Sequence, residues 1–272
     1  MILGIDIGGT TINLGLVDGT RVVQKVCVPS FPQNASQEET LTYLGDRIAE
    51  ILVPGVEKIG IGVPSVTDPV AGIVYNAANI PSWDVVPLKA AMEKRFRIPV
   101  SVNNDANCYA LGAYAMTRPA QALVCVTLGT GTGVGIVLDG KLFNGTHCGA
   151  GEIGALPYQG LDYESFCSKK FFTRNEISPR EAARAAEDGD PGALALFDEF
   201  GRHLGEFLTV VMYAYDPDCI VLGGGVAHTF KYFQEAMRQT LQQRYPYTPS
   251  LQSLRIEANP NEDAALVGAA AL

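Results

Sequence analysis

Short apolar runs broken by glycine turns dominate the start of the chain, and they predict strands. ILGIDIGG (2–9) is an apolar run entering a double-glycine turn. NLGLVDG (13–19) is a second run closed by Asp18-Gly19, a pair favoured in tight hairpins. VVQKVCVPSF (22–31) predicts a third strand. From Ser36 to Leu52 the apolar spacing turns helical, and Ser36 with Glu39 has the form of a capping box. KIGIGVPS (58–65) and PVSVNND (99–105) read as buried strands, and a helix is predicted over 106–116.

The same vocabulary returns at Ala122. ALVCVTLGTG, GVGIVLDG and KLFNG predict three more strands over 122–145. Helices are predicted over 178–187, with Ser178 and Glu181 as a second capping box, and over 191–213, 230–244 and 263–272. DCIVL (218–222) is a short buried strand ending in Gly223, Gly224 and Gly225. Strands alternating with helices indicate an α/β protein. The two hairpins also match one another. LGIDIGGTTINLGLVDG (3–19) aligns with VCVTLGTGTGVGIVLDG (124–140) at a constant offset, so that Gly8 meets Gly129, Thr11 meets Thr132, Asp18 meets Asp139 and Gly19 meets Gly140. The alternatives are an internal duplication or a chance likeness of two ordinary hairpins. Two glycine turns and two Asp-Gly turns in one register favour duplication, and hence two related domains.

Composition narrows the class. The 272 residues allow one large domain or two ordinary ones. A net charge of −9 argues against nucleic acid or an anionic membrane as a partner. The N-terminal residues lack a basic, cleavable leader, and the apolar run 207–215 is too short to span a bilayer. Six scattered cysteines form no CxxC pair and no zinc spacing, which fits reduced thiols and a cytoplasmic location.

The candidate chemistry lies in the turns. Gly8, Gly9, Thr10 and Thr11 offer close backbone approach and hydroxyl donors to phosphate oxygens, and Asp6 stands where it could hold Mg²⁺, directly or through water. A capped hairpin turn explains the same residues. Gly129, Thr130, Gly131 and Thr132 form a second such loop, and two loops at matching positions suit one polyphosphate. Neither is a P-loop, which needs GxxxxGK followed by Ser or Thr, nor a dinucleotide-binding turn. Asn103-Asn104-Asp105 leads into a helix. It can be an N-cap, or it can present Asp105 as a base to an attacking hydroxyl. Glu152, alone among small residues, is either an exposed loop acid or a ligand for sugar hydroxyls. Asn79 and Trp83 could line a sugar site or a solvent-facing loop. Gly223 to Gly225 would admit adenine or ribose, or simply start a helix. The histidines at 147, 203 and 228 show no metal or triad spacing.

Together these segments resemble the ROK family of sugar kinases and repressors, within the actin-like, hexokinase-type ATPases. The resemblance rests on IDIGGT (5–10), IGVPSVTDPVAGIVYNAANIPSW (61–83), NNDAN (103–107), TLGTGTGVGIVLDGKLFNGTHCGAGEIG (127–154), DPDCIVLGGGVA (216–227) and EDAALVGAA (262–270). It implies an α/β fold of two actin-like (ribonuclease H-like) lobes with an interlobe active-site cleft. The expected lobes are 1–115, joined by the closing helix 262–272, and 116–261. It implies ATP with Mg²⁺ as cofactors, Asp105 as general base, and sugar contacts from Asn79, Asn104, Asp105, Glu152 and Glu164. It also implies a homodimer.

Three departures stand out. The family's zinc-binding histidine corresponds to Ala155, and the cysteine-rich zinc motif is missing, so no structural zinc is expected; Tyr158, Tyr163 and Phe166 are candidates to hold the loop instead. The usual lysine after the first phosphate motif is Thr11, and a usual glycine is Ser65. The expected activity is therefore ATP-dependent phosphorylation of a hexose or N-acetylhexosamine. The alternatives are an actin-like ATPase or kinase with a non-sugar acceptor, and a catalytically weak sugar sensor. A DNA-binding repressor is disfavoured because the phosphate motif begins at Asp6.

Overall fold

The computed structural model describes every residue except Ala78, Arg118 and Pro260. In chain order the first elements are β1 (Ile2–Ile7), β2 (Thr11–Asp18), β3 (Arg21–Pro29), α1 (Gln37–Ile51), β4 (Lys58–Val63), β5 (Val66–Asp68), β6 (Ile73–Tyr75), β7 (Val85–Val86), α2 (Leu88–Phe96), β8 (Val100–Asn104) and α3 (Asp105–Met116). There follow β9 (Ala122–Leu128), β10 (Thr132–Leu138), β11 (Lys141–Leu142), β12 (Pro157–Tyr158), β13 (Leu161–Asp162), α4 (Tyr163–Phe166), α5 (Lys169–Arg174), α6 (Pro179–Glu187), α7 (Pro191–Tyr215), β14 (Cys219–Gly223), α8 (Phe230–Arg244), α9 (Thr248–Ser253), β15 (Arg255–Ala258) and α10 (Asp263–Ala271). The chain separates into two compact units. One contains Met1–Arg118, Leu142–Ala150 and Glu262–Leu272; the other contains Pro119–Lys141 and Gly151–Asn261.

The first unit is built on a sheet of order β3-β2-β1-β4-β8. Tight turns make β1, β2 and β3 antiparallel neighbours, whereas helical crossovers make β1, β4 and β8 parallel. The capping box at Ser36 is formed, with Glu39 N–H donating to Ser36 Oγ at 3.3 Å and Ser36 N–H donating to Glu39 Oε2 at 2.7 Å. β1 and β4 are buried along nearly their whole length, as expected of central parallel strands. Trp83 belongs to this core. It is 1% exposed, packs on Phe31 with ring centroids 5.3 Å apart, and donates its indole N–H to Thr40 Oγ1 at 2.8 Å. The expectation that Trp83 lines a sugar site or a solvent-facing loop is thereby corrected: the ring is an interior anchor whose one polar atom is satisfied inside.

The second unit repeats the plan. Its sheet order is β11-β10-β9-β14-β15, with β9 antiparallel to β10 and parallel to β14, and β14 parallel to β15. The duplication read from two hairpins thus extends through all five strands. β15 carries no apolar run, and pairing with β14 alone makes it a strand.

α10 closes the first unit by lying on α3, β1 and β4. Its residues Ala264 to Ala270 are all buried, so it has no amphipathic stripe. Small residues let the backbones touch. A Cβ on Gly112 of α3 would stand 1.8 Å from the Ala264 carbonyl oxygen, and one on Gly268 would stand 1.6 Å from that of Cys108.

Candidate active site

In the first unit the chemistry gathers where three parallel strands end. Asp6 of β1 is in register with Gly62 of β4, and Gly62 with Asn103 of β8. Burial raises the Asp6 carboxyl above its ordinary range, against the opposing effects of Asn13 Nδ2, which donates to it at 3.4 Å, and of the Lys25 charge. The buried Cys108 thiol is pushed far up, first by burial and then by the charges of Asp6 and Asp105. Both carboxylates therefore lie within electrostatic reach of one sulfur.

The first glycine loop is braced from β3. Gly8 N–H donates to Thr11 O at 2.8 Å, Ser30 Oγ donates to Gly8 O at 2.8 Å, and Ser30 N–H donates to Thr10 O at 2.9 Å. Gly9, Thr10 and Thr11 stay exposed at the tip. Asn79, also exposed, lies against it, with its Cγ 3.3 Å from where a Cβ on Gly9 would stand.

Asn104 caps α3, its Oδ1 accepting Ala106 N–H at 2.9 Å and Asn107 N–H at 3.2 Å, while its Nδ2 donates to Ser65 O at 3.2 Å. Asp105 is the first helical residue, and its Oδ1 accepts Ala106 N–H at 2.8 Å. The capping duty and the proposed base thus fall on different residues. Behind them, buried Asn103 and Asn107 both donate to Asn144 Oδ1, at 3.1 and 3.2 Å. Asn144 was missed in the sequence because a lone loop asparagine has no local pattern.

In the second unit the GTGTG loop is held from behind by the segment after β13. Thr132 N–H donates to Glu164 Oε2 at 3.1 Å, Thr132 Oγ1 donates to Cys167 O at 2.9 Å, and Lys169 N–H donates to Gly129 O at 2.9 Å. Thr132 is 6% exposed, with both donors engaged inside the unit. Its expected role as a phosphate donor is corrected to that of a latch; Thr130 is the exposed hydroxyl of this loop. Glu164, an expected sugar contact, has both carboxylate oxygens engaged here. One oxygen takes the loop amide, the other pairs with Lys170 Nζ, and a Cβ on Gly131 would fall 2.3 Å from Oε2. A side chain there would displace the Glu164 carboxylate.

Glu152 opens a 3-10 turn, Glu152–Ala155, that packs on β10. Its carboxyl is raised first by burial and then by the like charge of Glu164. Gly223 ends β14 in register with Thr127, at the root of the second loop, and Gly224 and Gly225 lead through a short 3-10 turn into α8. The helix-entry reading of these glycines is realised structurally, and Gly225 has open space above it.

An aromatic set supports the hairpin after Glu152. Tyr158 stacks on Tyr163 at 4.3 Å, meets Phe166 edge-on at 5.2 Å, and its hydroxyl lies 3.0 Å from His203 Nδ1. These are the three residues expected to replace a metal. Ala155 is exposed at the end of the turn, and among the described residues no three His, Cys, Asp or Glu side chains group as metal ligands.

Within the first unit, then, the structure gathers Asp6, Asn104 and Asp105 at the C-terminal ends of β1 and β8, with Asn79 against the first loop. Within the second it gathers Gly129 to Thr132, Glu152, Glu164 and Gly223 to Gly225. Mg²⁺ fits Asp6: it is a hard oxygen donor in a site where burial disfavours the bare anion, and one carboxylate leaves the remaining positions to water and phosphate oxygens.

Two copies of one mixed five-stranded sheet, each with a glycine hairpin loop beside carboxylates, define a duplicated α/β nucleotide-binding fold. The chain belongs to the ROK family, whose model matches residues 2–272. An N-acetyl-D-glucosamine kinase of Salmonella gallinarum is 32% identical over 302 residues, covering 97% of this chain and 96% of that protein. A glucokinase of Halalkalibacterium halodurans is 30% identical over 267 residues, covering 83% and 80%. Among solved structures, a ROK family glucokinase from Streptomyces griseus in complex with glucose and AMPPNP matches 99% of this chain and 98% of its own, with a TM-score of 0.82 and 28% identity.

Proposed function

We propose that this chain transfers the γ-phosphoryl group of ATP to a hydroxyl of a hexose or N-acetylhexosamine, with Asp105 as the general base. The observation that carries the reading is the division of labour at 104–105. Asn104 satisfies the helix terminus, so the adjacent carboxylate is not required as the cap. The kinases named among the relatives point to the same reaction.

Asn79, Asn104, Glu152 and Glu164 would hold the sugar. Gly8 to Thr11 and Gly129 to Gly131 would meet the phosphates, and Gly223 to Gly225 the adenosine. Asp6 would hold Mg²⁺, which supplies charge neutralisation on the phosphates when bound. Asp105 takes its proton late, because phosphoryl transfer depends mainly on positioning and charge stabilisation. The expected setting is the cytoplasm and the expected assembly a homodimer; among the described residues, no helix is long and apolar enough to cross a membrane. One observation favours a second reading: Ala155 offers an acceptor no polar group, which suits a non-sugar acceptor.

The test is ADP release with Mg²⁺-ATP against a panel of hexoses and N-acetylhexosamines, with Asp105→Asn as control. Turnover on one sugar, lowered about 10²–10⁴-fold in the variant, is expected. Near-normal turnover in the variant would refute the base. ADP release independent of any sugar would favour the second reading.

A further inference from the structure

Neither glycine loop carries a cation of its own: 5–11 and 127–133 contain no Lys or Arg. The second loop is moreover flanked by two acids, Glu152 and Glu164, close enough for one to raise the other. A multiply charged phosphate chain would meet repulsion there unless a cation stood nearby. Lys170 is such a cation. Glu164 touches the loop through Thr132 N–H and lies against Gly131, and the Lys170 ammonium is paired with that same carboxylate. The ammonium is therefore held at the loop.

The lysine is also anchored and reachable. Its own N–H donates to Ser168 Oγ at 3.1 Å, and the neighbouring Lys169 N–H and Cys167 O bind loop residues, each at 2.9 Å. The backbone under Lys170 is thus fixed relative to the loop, while its side chain remains 49% exposed. We propose that Lys170 contacts the polyphosphate of ATP and that Glu164 is its positioning residue. This rests on the nucleotide reading above and deepens it. An exposed lysine–carboxylate pair contributes little by itself, so turning the ammonium toward phosphate costs little. Phosphate offers a doubly useful partner, since lysine binds it as a point charge through strong, charge-assisted hydrogen bonds. Glu164 keeps the Thr132 amide throughout, so the loop holds its shape as the cation changes partner.

Calorimetric titration of the full chain with Mg²⁺-AMPPNP and with AMP, without sugar, tests this. Lys170→Met should weaken AMPPNP about tenfold, the loss of one charge-assisted hydrogen bond. AMP affinity should be unchanged, and Lys170→Arg should restore AMPPNP to within about threefold. Unchanged AMPPNP binding in Lys170→Met overturns the inference, as does an equal loss for AMP, which would mark a purely structural role. AMPPNP binding that depends on Lys170 in a chain that phosphorylates no sugar keeps the inference and loses the acceptor assignment. Sugar phosphorylation with an unchanged KM for ATP in Lys170→Met loses the inference alone.

Discussion

Adjacent residues in this chain carry different tasks, and the hydrogen bonds separate them. Asn104 and Asp105 are both acceptable N-caps by type, yet it is Asn104 that takes the Ala106 and Asn107 amides of α3, sharing only the first with Asp105. Thr11 and Thr132 occupy matching repeat positions, yet one is exposed and the other is locked by Glu164 and Cys167. Glu152 shows the cost of such placement. Its carboxyl is raised by burial and by Glu164, so the folded state favours its protonated form. That contribution to stability is present below the ordinary glutamate range and is lost as pH rises through the raised value. Near neutrality the fold therefore carries an anion it disfavours, by an amount that solvent screening keeps small because Glu152 is exposed. Glu152→Gln should raise Tm at about pH 7, with the gain vanishing at about pH 4, while sugar turnover falls. An equal Tm difference at both values would contradict this, since it would not follow the titration.

Elements are placed here by contacts as much as by their own periodicity. α1 and α6 announce themselves through capping boxes and form where these predict. α10 has no polar face, and its position is set by a backbone seam with α3. Gly268→Ala should strain that seam, because both sides are backbone and neither can yield as a side chain would. Overpacking costs about 1–3 kcal/mol or more, and the upper end is expected here. The sole tryptophan, Trp83, sits in the core of the same unit, so its fluorescence reads the loss directly. The urea midpoint should fall with the slope unchanged. A midpoint equal to that of the parent would mean the seam relaxes freely.

At the scale of the whole molecule, one sheet plan is used twice and specialised differently. The copy beginning at β1 carries Asp6, Asn79, Asn104 and Asp105; the copy beginning at β9 carries Glu152, Glu164, Lys170 and the triple glycine. The hairpin beside Glu152 is held by Tyr158, Tyr163, Phe166 and His203. These contacts bury ring surface and satisfy one hydroxyl, which supports the hairpin without any metal ligand. A zinc-selective chelator should therefore leave Tm within about 1 °C of its starting value, whereas structural zinc sites melt on metal removal. A marked fall would show that the loop depends on a metal after all. Tyr158→Ala should lower Tm where the chelator does not.

Much of this was legible along the chain. The hairpins, both capping boxes, the cap at 103–105 and the aromatic trio are written in residues a few positions apart, where turn geometry and helix hydrogen bonding act directly. The duplication was legible because two such local patterns stay in register. Tertiary structure alone decided that Trp83 is an interior anchor, that β15 is a strand, and that Asn144 joins the asparagines behind Asp105. It also decided that Thr132 is a latch and that Glu164 ties Lys170 to the second loop. Glu164 and Thr132 are 32 residues apart, and nothing local to either specifies the other. Sequence by itself sets what each segment can form within a turn or two of chain; which groups satisfy one another across longer separations depends on the packing that brings them within hydrogen-bonding distance.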